Sequence, residues 1–548
     1  MKDIIRKIEQ KIENIFLEKI DNWSLFLGFS AIILLRVLEE KFLAYSPASG
    51  GEILVEYLHN FLFFANTFIL IWLLIGFFLK ENPLKLSGLI KWGFFLILLP
   101  PLIDIAKTGG QIFWSFYLLN SPSGLGGQFV TIFGNLPTGI VYFGSKIVFL
   151  SVVFLVAVVV GAKTKSIIKT GLSAFLTYAI LFFMGSFPSW ITFGWSFLQG
   201  KNIGEISGVQ VAQFFGAPRS ILGLGEGSLK YSFAFHLDMI FSVFLISLLV
   251  TLFWVSSREK CVAMLKNARF PQIIYHSGLF LLGLGLGFTS YPQVMQINLF
   301  TVLAVVNVWL GVILAWLASV IVNDIYDFKI DEISNNERPL QRHIFSFEEY
   351  ANLGKVLFSL SLLSGLVVGV KFAVLLLIYQ SLAWFYSAGA YRLKRFLGVA
   401  TFFSAVASLT VVFMGFVFFA GEDNLMIFPW RVGFLLLLAL TISLPIKDLK
   451  DIEGDRRDGV WTVPVIWGEE LGRIIIASSV FMSFMASIFF LNEFKLFWWS
   501  LLVGSLAFLV ITNKKIKPRQ IFWWVLGLVF VYGLILMQVV FQPLNNFN

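Results

Sequence analysis

The chain has 548 residues, of which 58% are hydrophobic, 17% aromatic and 13% charged, more apolar surface than one soluble core can bury. A single cysteine, Cys261, excludes an internal disulfide, and with only four histidines it gives no zinc-ligand spacing. The net charge of +9 does not point to nucleic acid, because the Lys and Arg sit in short clusters beside apolar runs, where they set orientation and meet anionic headgroups.

Residues 1–22 are too charged for the apolar core of a signal peptide and are expected to form an amphipathic helix on the cytoplasmic membrane surface, with a solvated charged helix as the alternative. Apolar runs long enough to cross a bilayer follow near 24–44, 60–79, 88–105, 139–161, 167–187 and 233–255. They predict an N-terminal transmembrane domain of about six helices over 23–257. After the charged break SSREKCVAMLKNARFP, runs resume near 275–294, 298–322, 351–370, 372–389, 398–420, 428–446, 471–491, 495–512 and 520–541. They predict about nine helices in a second domain, 265–545, and hence an all-α, multi-pass integral membrane protein.

The cations follow this count. Arg258 to Arg269, Lys329 to Arg342, Arg392 to Arg395, Lys447 to Arg473 and Lys514 to Arg519 fall on one side, as do Lys80 to Lys91 and Lys163 to Lys169 in the first group, which assigns that side to the cytoplasm. The tail QPLNNFN then ends outside. The external stretches 107–138 and 188–231 are expected to be irregular loops, with re-entrant pieces as the alternative. Arg36 with Glu39 and Glu40, Asp104 with Lys107, and His236 with Asp238 sit near helix ends and are expected to be interfacial charges that snorkel, with local pairing as the alternative. Gly283 and Gly287 have the spacing that lets helices approach closely.

Two acidic segments stand out. In NDIYDFKIDEISNNERPL, Asp324, Asp327 and Asp331 fall at i, i+3 and i+7, with Asn323 four before Asp327, so on a helix they share a face. KDLKDIEGDRRDG repeats the pattern with Asp448, Asp451 and Asp455. Six lipid-exposed carboxylates would cost on the order of 15 kcal/mol, so they must face a wet cavity or bind cations. All-oxygen ligands favour a hard ion such as Mg²⁺.

Both segments resemble the two Asp-rich motifs of the UbiA prenyltransferase superfamily, the second within KDLKDIEGDRRDGVWTVPVIWG. Tyr386-Ser387 and the basic run Tyr391 to Arg395 resemble its intermediate loop, and the resemblance covers residues 265–545. It implies a nine-helix bundle that transfers a polyprenyl group from its diphosphate to a polar or aromatic acceptor in the bilayer, with Mg²⁺ and no nucleic acid. In that scheme Asn323, Asp327, Asp331, Asp448, Asp451 and Asp455 hold the metal. Arg338, Arg392, Lys394 and Tyr386 contact the diphosphate, and Asp324 and Lys394 are the candidate catalytic groups. The active-site loops lie on the cytoplasmic side.

The family's turn after Arg-Pro is replaced here by Leu340-Gln341-Arg342-His343, and His343 is expected to be exposed. A lipid-diphosphate or cation transporter without prenyl transfer is the rival reading. It is less favoured because both motifs lie at one membrane face and the two halves show no internal repeat. The second motif's context resembles the branch acting on homogentisate, chlorophyllide and geranylgeranylglyceryl phosphate, which leaves quinone, lipid and pigment acceptors open.

Overall fold

The computed structural model describes residues 20–43, 50–109, 117–133, 143–216, 229–291, 297–388, 391–419, 424–457 and 459–541. The described residues divide into two compact units, one ending at Cys261 and the other beginning at Val262. Backbone in hydrocarbon has no water to bond, so apolar runs become helices.

In the first unit the long helices are α1 (Asn22–Leu43), α2 (Gly50–Leu79), α3 (Pro83–Thr108), α4 (Phe143–Thr164), α5 (Ile167–Gly185) and α6 (Leu229–Ser256). The second holds α7 (Phe270–Ser290), α8 (Leu299–Tyr326), α9 (Phe347–Leu366), α10 (Val370–Ser387), α11 (Val399–Phe416), α12 (Trp430–Ser443), α13 (Glu469–Leu491), α14 (Phe497–Thr512) and α15 (Pro518–Leu536). Among the described residues, 13 helices are long and apolar enough to span a membrane. The two long helices outside that set are α1, which carries Arg36, Glu39, Glu40 and Lys41, and α9. The molecule is an integral, multi-pass, all-helical membrane protein. The expected surface helix at 1–22 lies outside the described residues except for 20–22.

Helix starts follow from capping. Asp21 accepts from the N–H groups of Trp23 and Ser24 at α1, Asn298 from Thr301 at α8, and Ser346 with Glu349 closes a capping box at α9. The same chemistry overturns the expectation of irregular external loops in the first unit. Helices Pro122–Val130, Phe187–Leu198 and Gly208–Phe215 occupy those stretches, entered through capping residues Ser121 and Ser207 or through a proline in the first turn. They pack Leu118, Leu125, Phe193, Ile206 and Val211 into one buried cluster.

The expectation of snorkelling charges is also corrected, because Arg36, Asp104, His236 and Asp238 are buried, and two of the three local pairs do not form. Arg36 does bond Glu40 at 2.9 Å. Asp104, however, accepts the Gly144 N–H at 2.7 Å, while Lys107 lies 3.8 Å over the Phe143 ring. His236 Nδ1 donates to the Phe215 carbonyl at 2.8 Å, and Asp238 pairs with His59 instead. The buried positions put each group within reach of another element before its sequence neighbour.

In the second unit, α7 packs on α11, α8 on α9 and α10, α11 on α12, and α12 to α15 in sequence. Glycine makes the first of these contacts close. A Cβ on Gly283 would run into the Val412 carbonyl, one on Gly287 into the Phe419 ring and one on Gly415 into the Phe280 carbonyl, so the Gly283/Gly287 spacing is a packing device. Helices α7, α8, α10 and α11, joined by Phe522 of α15, wall a cavity.

Candidate active site

At the end of α8 the chain breaks direction at Asp327 (φ −98°, ψ 10°) and resumes as the short helix Phe328–Ser334. The break keeps its hydrogen bonds: Asp327, Asp331 and Asn335 N–H each donate to the carbonyl four residues back at 2.9 Å. The face presented to the cavity therefore runs in steps of four, through Asn323, Asp327, Asp331 and Asn335. Asp324 lies off that face, which corrects the expected i, i+3, i+7 triad.

The second motif reaches the same result differently. Pro445 has no N–H to continue α12, and the chain tightens into the 3₁₀ segment Leu444–Lys450 before the short helix Ile452–Arg457. In a 3₁₀ turn residues three apart eclipse. Asp448 and Asp451 thus align, one further α-turn brings Asp455 onto the same line, and all three line the cavity. The short helices Phe328–Ser334 and Ile452–Arg457 pack against each other, so the two acidic ladders converge on one space of about 300 Å³.

Five carboxylates (Asp327, Asp331, Asp448, Asp451, Asp455) and five cations (Arg269, Arg338, Lys394, Lys447, Lys450) line it. Asp327 Oδ1 is held by Arg392 at 2.9 Å and by Lys394, and Asp331 by Arg338. Lys447 donates to the Tyr386 hydroxyl at 2.9 Å, while Lys450 stands 3.6 Å from Asp451. Burial pushes the Asp331 carboxyl up to about 7 against the pull of Arg338. Burial, reinforced by Asp448 and Asp451, does the same to Asp455, also to about 7.

Asp324, expected to be catalytic, does not line the cavity. It is 0% exposed and accepts from Asn267 at 2.6 Å, Arg338 at 2.7 Å, Arg269 at 2.8 Å and the Tyr350 hydroxyl at 2.9 Å. Four donors saturate it, and two of them are guanidiniums. Arg269 and Arg392 both have left-handed backbones, φ 54° and φ 37°, a conformation that a non-glycine residue adopts only where its surroundings impose it. His343 is exposed and off the cavity, as expected.

Deeper in the cavity lie groups that sequence reasoning missed. Tyr275 donates to Ser408 at 2.8 Å, His276 Nδ1–H donates to the Gln272 carbonyl at 2.7 Å, and the His276 Nε2 pairs with the Tyr379 hydroxyl at 2.9 Å. Their signal was available: polar residues inside an apolar run seldom face lipid. Arg269 and Lys447, which in the sequence count only toward topology, line the cavity as well.

The six expected metal ligands surround one cavity, but among the described residues no three His, Cys, Asp or Glu side chains are grouped to hold an ion as they stand. The first ladder is paired with cations. The donor chemistry nevertheless fits a hard divalent ion: every ligand atom is oxygen, and two carboxyls are destabilised as anions by crowding and burial.

Residues 280–521 match the UbiA prenyltransferase family. The C-terminal half is a UbiA-family domain. Relatives of this domain include the digeranylgeranylglyceryl phosphate synthase of Methanothermobacter thermautotrophicus, 30% identical over 30% of this chain and 57% of that protein. Another is the chloroplastic 2-acyl-4-prenylphloroglucinol 6-prenyltransferase of Humulus lupulus, 26% identical over 30% and 42%. The chain thus spans about half the length of the curated relatives it matches. A UbiA homolog from Archaeoglobus fulgidus, solved with DMAPP and Mg²⁺, covers 50% of this chain and 99% of its own at 17% identity and a TM-score of 0.37.

Proposed function

We propose that the UbiA domain transfers a polyprenyl group from its diphosphate to a polar or aromatic acceptor within the membrane, in an Mg²⁺-dependent reaction opening on the cytoplasmic side. The observation that carries this reading is the convergence of two acidic ladders and five cations at the mouth of one cavity whose deeper wall is built from α7, α8, α10 and α11.

Asn323, Asp327 and Asp331 from one side, and Asp448, Asp451 and Asp455 from the other, would hold the metal. When bound, Mg²⁺ supplies positive charge to a departing diphosphate. The protein's own part is electrostatic. Arg338 and Lys394 sit where they can exchange a carboxylate for a phosphate oxygen, with Arg suited to a bidentate contact, and Arg392 supports them from behind Asp327. Tyr386, held by Lys447, adds a hydroxyl. As the allylic C–O bond breaks, its electron pair leaves with the diphosphate and these groups stabilise the new charge. The apolar walls keep water from the carbocation until the acceptor attacks and gives up its proton.

The test is diphosphate release and prenylated product from purified protein given geranylgeranyl diphosphate, Mg²⁺ and an acceptor panel, with Asp327→Ala and Asp451→Ala in parallel. Product that needs Mg²⁺ and disappears in both variants supports the reading. Donor binding without turnover across the panel would instead favour a lipid-handling protein.

A further inference from the structure

The first unit holds a cavity of its own, about 370 Å³, within the size range of small-molecule sites, and its polarity is sorted along its length. On α2 the lining runs from His59 and Asn60 to Ile71 and Ile75, and at 1.5 Å per residue these positions span about 24 Å, most of a hydrocarbon core. On α4 it runs in parallel from Ser145 to Val159. The ionisable and hydroxyl-bearing groups collect near one end, and the far end is apolar. Thr67, partway along, is satisfied by its own helix through Phe63 O at 2.8 Å.

The polar end is a built arrangement. Asp238, 0% exposed and behind the wall, holds His59 Nδ1 at 2.6 Å, and His59 Nε2 meets the Tyr117 hydroxyl at 2.9 Å. A carboxylate, an imidazole and a phenol are thus joined in line, with the phenol on the cavity side. Arg36, 5% exposed, spends its two terminal nitrogens on Glu40 at 2.9 Å and the Ile97 carbonyl at 2.8 Å, while its buried Nε–H has no acceptor among the described residues. Arg36 lines the same cavity as that phenol. The lining contributes one guanidinium against two carboxylates, Glu40 and Asp104. A diphosphate or other anionic head would therefore be repelled, and a neutral head would not.

We infer that the N-terminal unit is a second lipid site, which binds a long-chain lipid with an uncharged hydroxyl- or carbonyl-bearing head, the head at Tyr117 and Arg36 and the chain along α2 and α4. This is independent of any chemistry in the UbiA domain and gives the unrecognised half a ligand-handling role.

The test uses the full chain in detergent and a diazirine-bearing long-chain alcohol, with cross-linked peptides mapped by mass spectrometry. Saturable labelling of α2 and α4 peptides is expected. Geranylgeraniol should compete and geranylgeranyl diphosphate should not, and labelling should fall at least about fivefold in Tyr117→Phe and in Val156→Trp, which fills the apolar end. Where Val156→Trp does not fold, Tyr117→Phe and the competition decide. Absence of saturable label in these peptides, equal competition by the diphosphate, or labelling unchanged in folded variants would overturn the inference. Labels in the UbiA domain are read separately by their own peptides, so failure of one site leaves the other untouched.

Discussion

Replacing Asp324 by alanine separates orientation from ligation. The carboxylate is fully buried with four donors, two of them guanidiniums, and breaking such a pair from one side costs about 3–5 kcal/mol because the remaining charge stays desolvated. Here the lower end applies: the Arg269 and Arg338 side chains keep 25% and 16% exposure, and Arg338 keeps Asp331. A loss of about 3 kcal/mol is therefore expected, read from the tryptophan-fluorescence midpoint of a mixed-micelle SDS titration, together with a fall in turnover because both arginines lose their fixed direction. Tyr350→Phe removes one of the four donors and should cost about 1–2 kcal/mol while sparing most of the activity. If Asp324→Ala unfolded at the wild-type midpoint and still lost turnover, Asp324 would have to touch substrate or metal, and the positioning role would be wrong.

Asp451, paired only at 3.6 Å with Lys450 and 35% exposed, should behave in the opposite way. Its alanine variant is expected to keep stability within about 1 kcal/mol but to lose about a hundredfold or more in diphosphate release. Gly415→Ala, whose new Cβ meets the Phe280 carbonyl and lies 2.7 Å from the Leu284 nitrogen, should cost about 1–3 kcal/mol by the same SDS titration. Chelation should abolish turnover and added Mg²⁺ should restore it, with no change in helical circular dichroism. Lys394→Met should raise KM for the diphosphate more than it lowers kcat, measured in steady-state assays.

Fifteen long helices were legible because length and hydropathy are local properties, and the expected runs overlap every one of them. The site was legible in its parts list and not in its geometry. The spacing of Asp324, Asp327 and Asp331 looks like a triad only while the helix is assumed to continue straight, and the break at Asp327 belongs to the contacts around it. What makes Asp324 a hub is Arg269, Asn267 and Tyr350, residues 26 to 57 positions away in the chain with no shared pattern. The second motif, by contrast, could have been read further, since Pro445 three residues before Asp448 already argues against a regular helix there. In the first unit, nothing local announces that Gly144 will reach Asp104 or that His59 will reach Asp238.

Both acidic ladders run across the C-terminal end of a helical segment, at Tyr326 and at Lys450. A helix C-terminus carries roughly half a negative charge, so the carboxylates stand where anions are least welcome and cations most. Lys394, Arg392 and Arg338 already answer that demand from within the chain. On the proposed reading, folding and metal loading would be separable: the first ladder is already neutralised from within the chain, and a divalent ion would be needed only when a phosphorylated substrate draws those same side chains away.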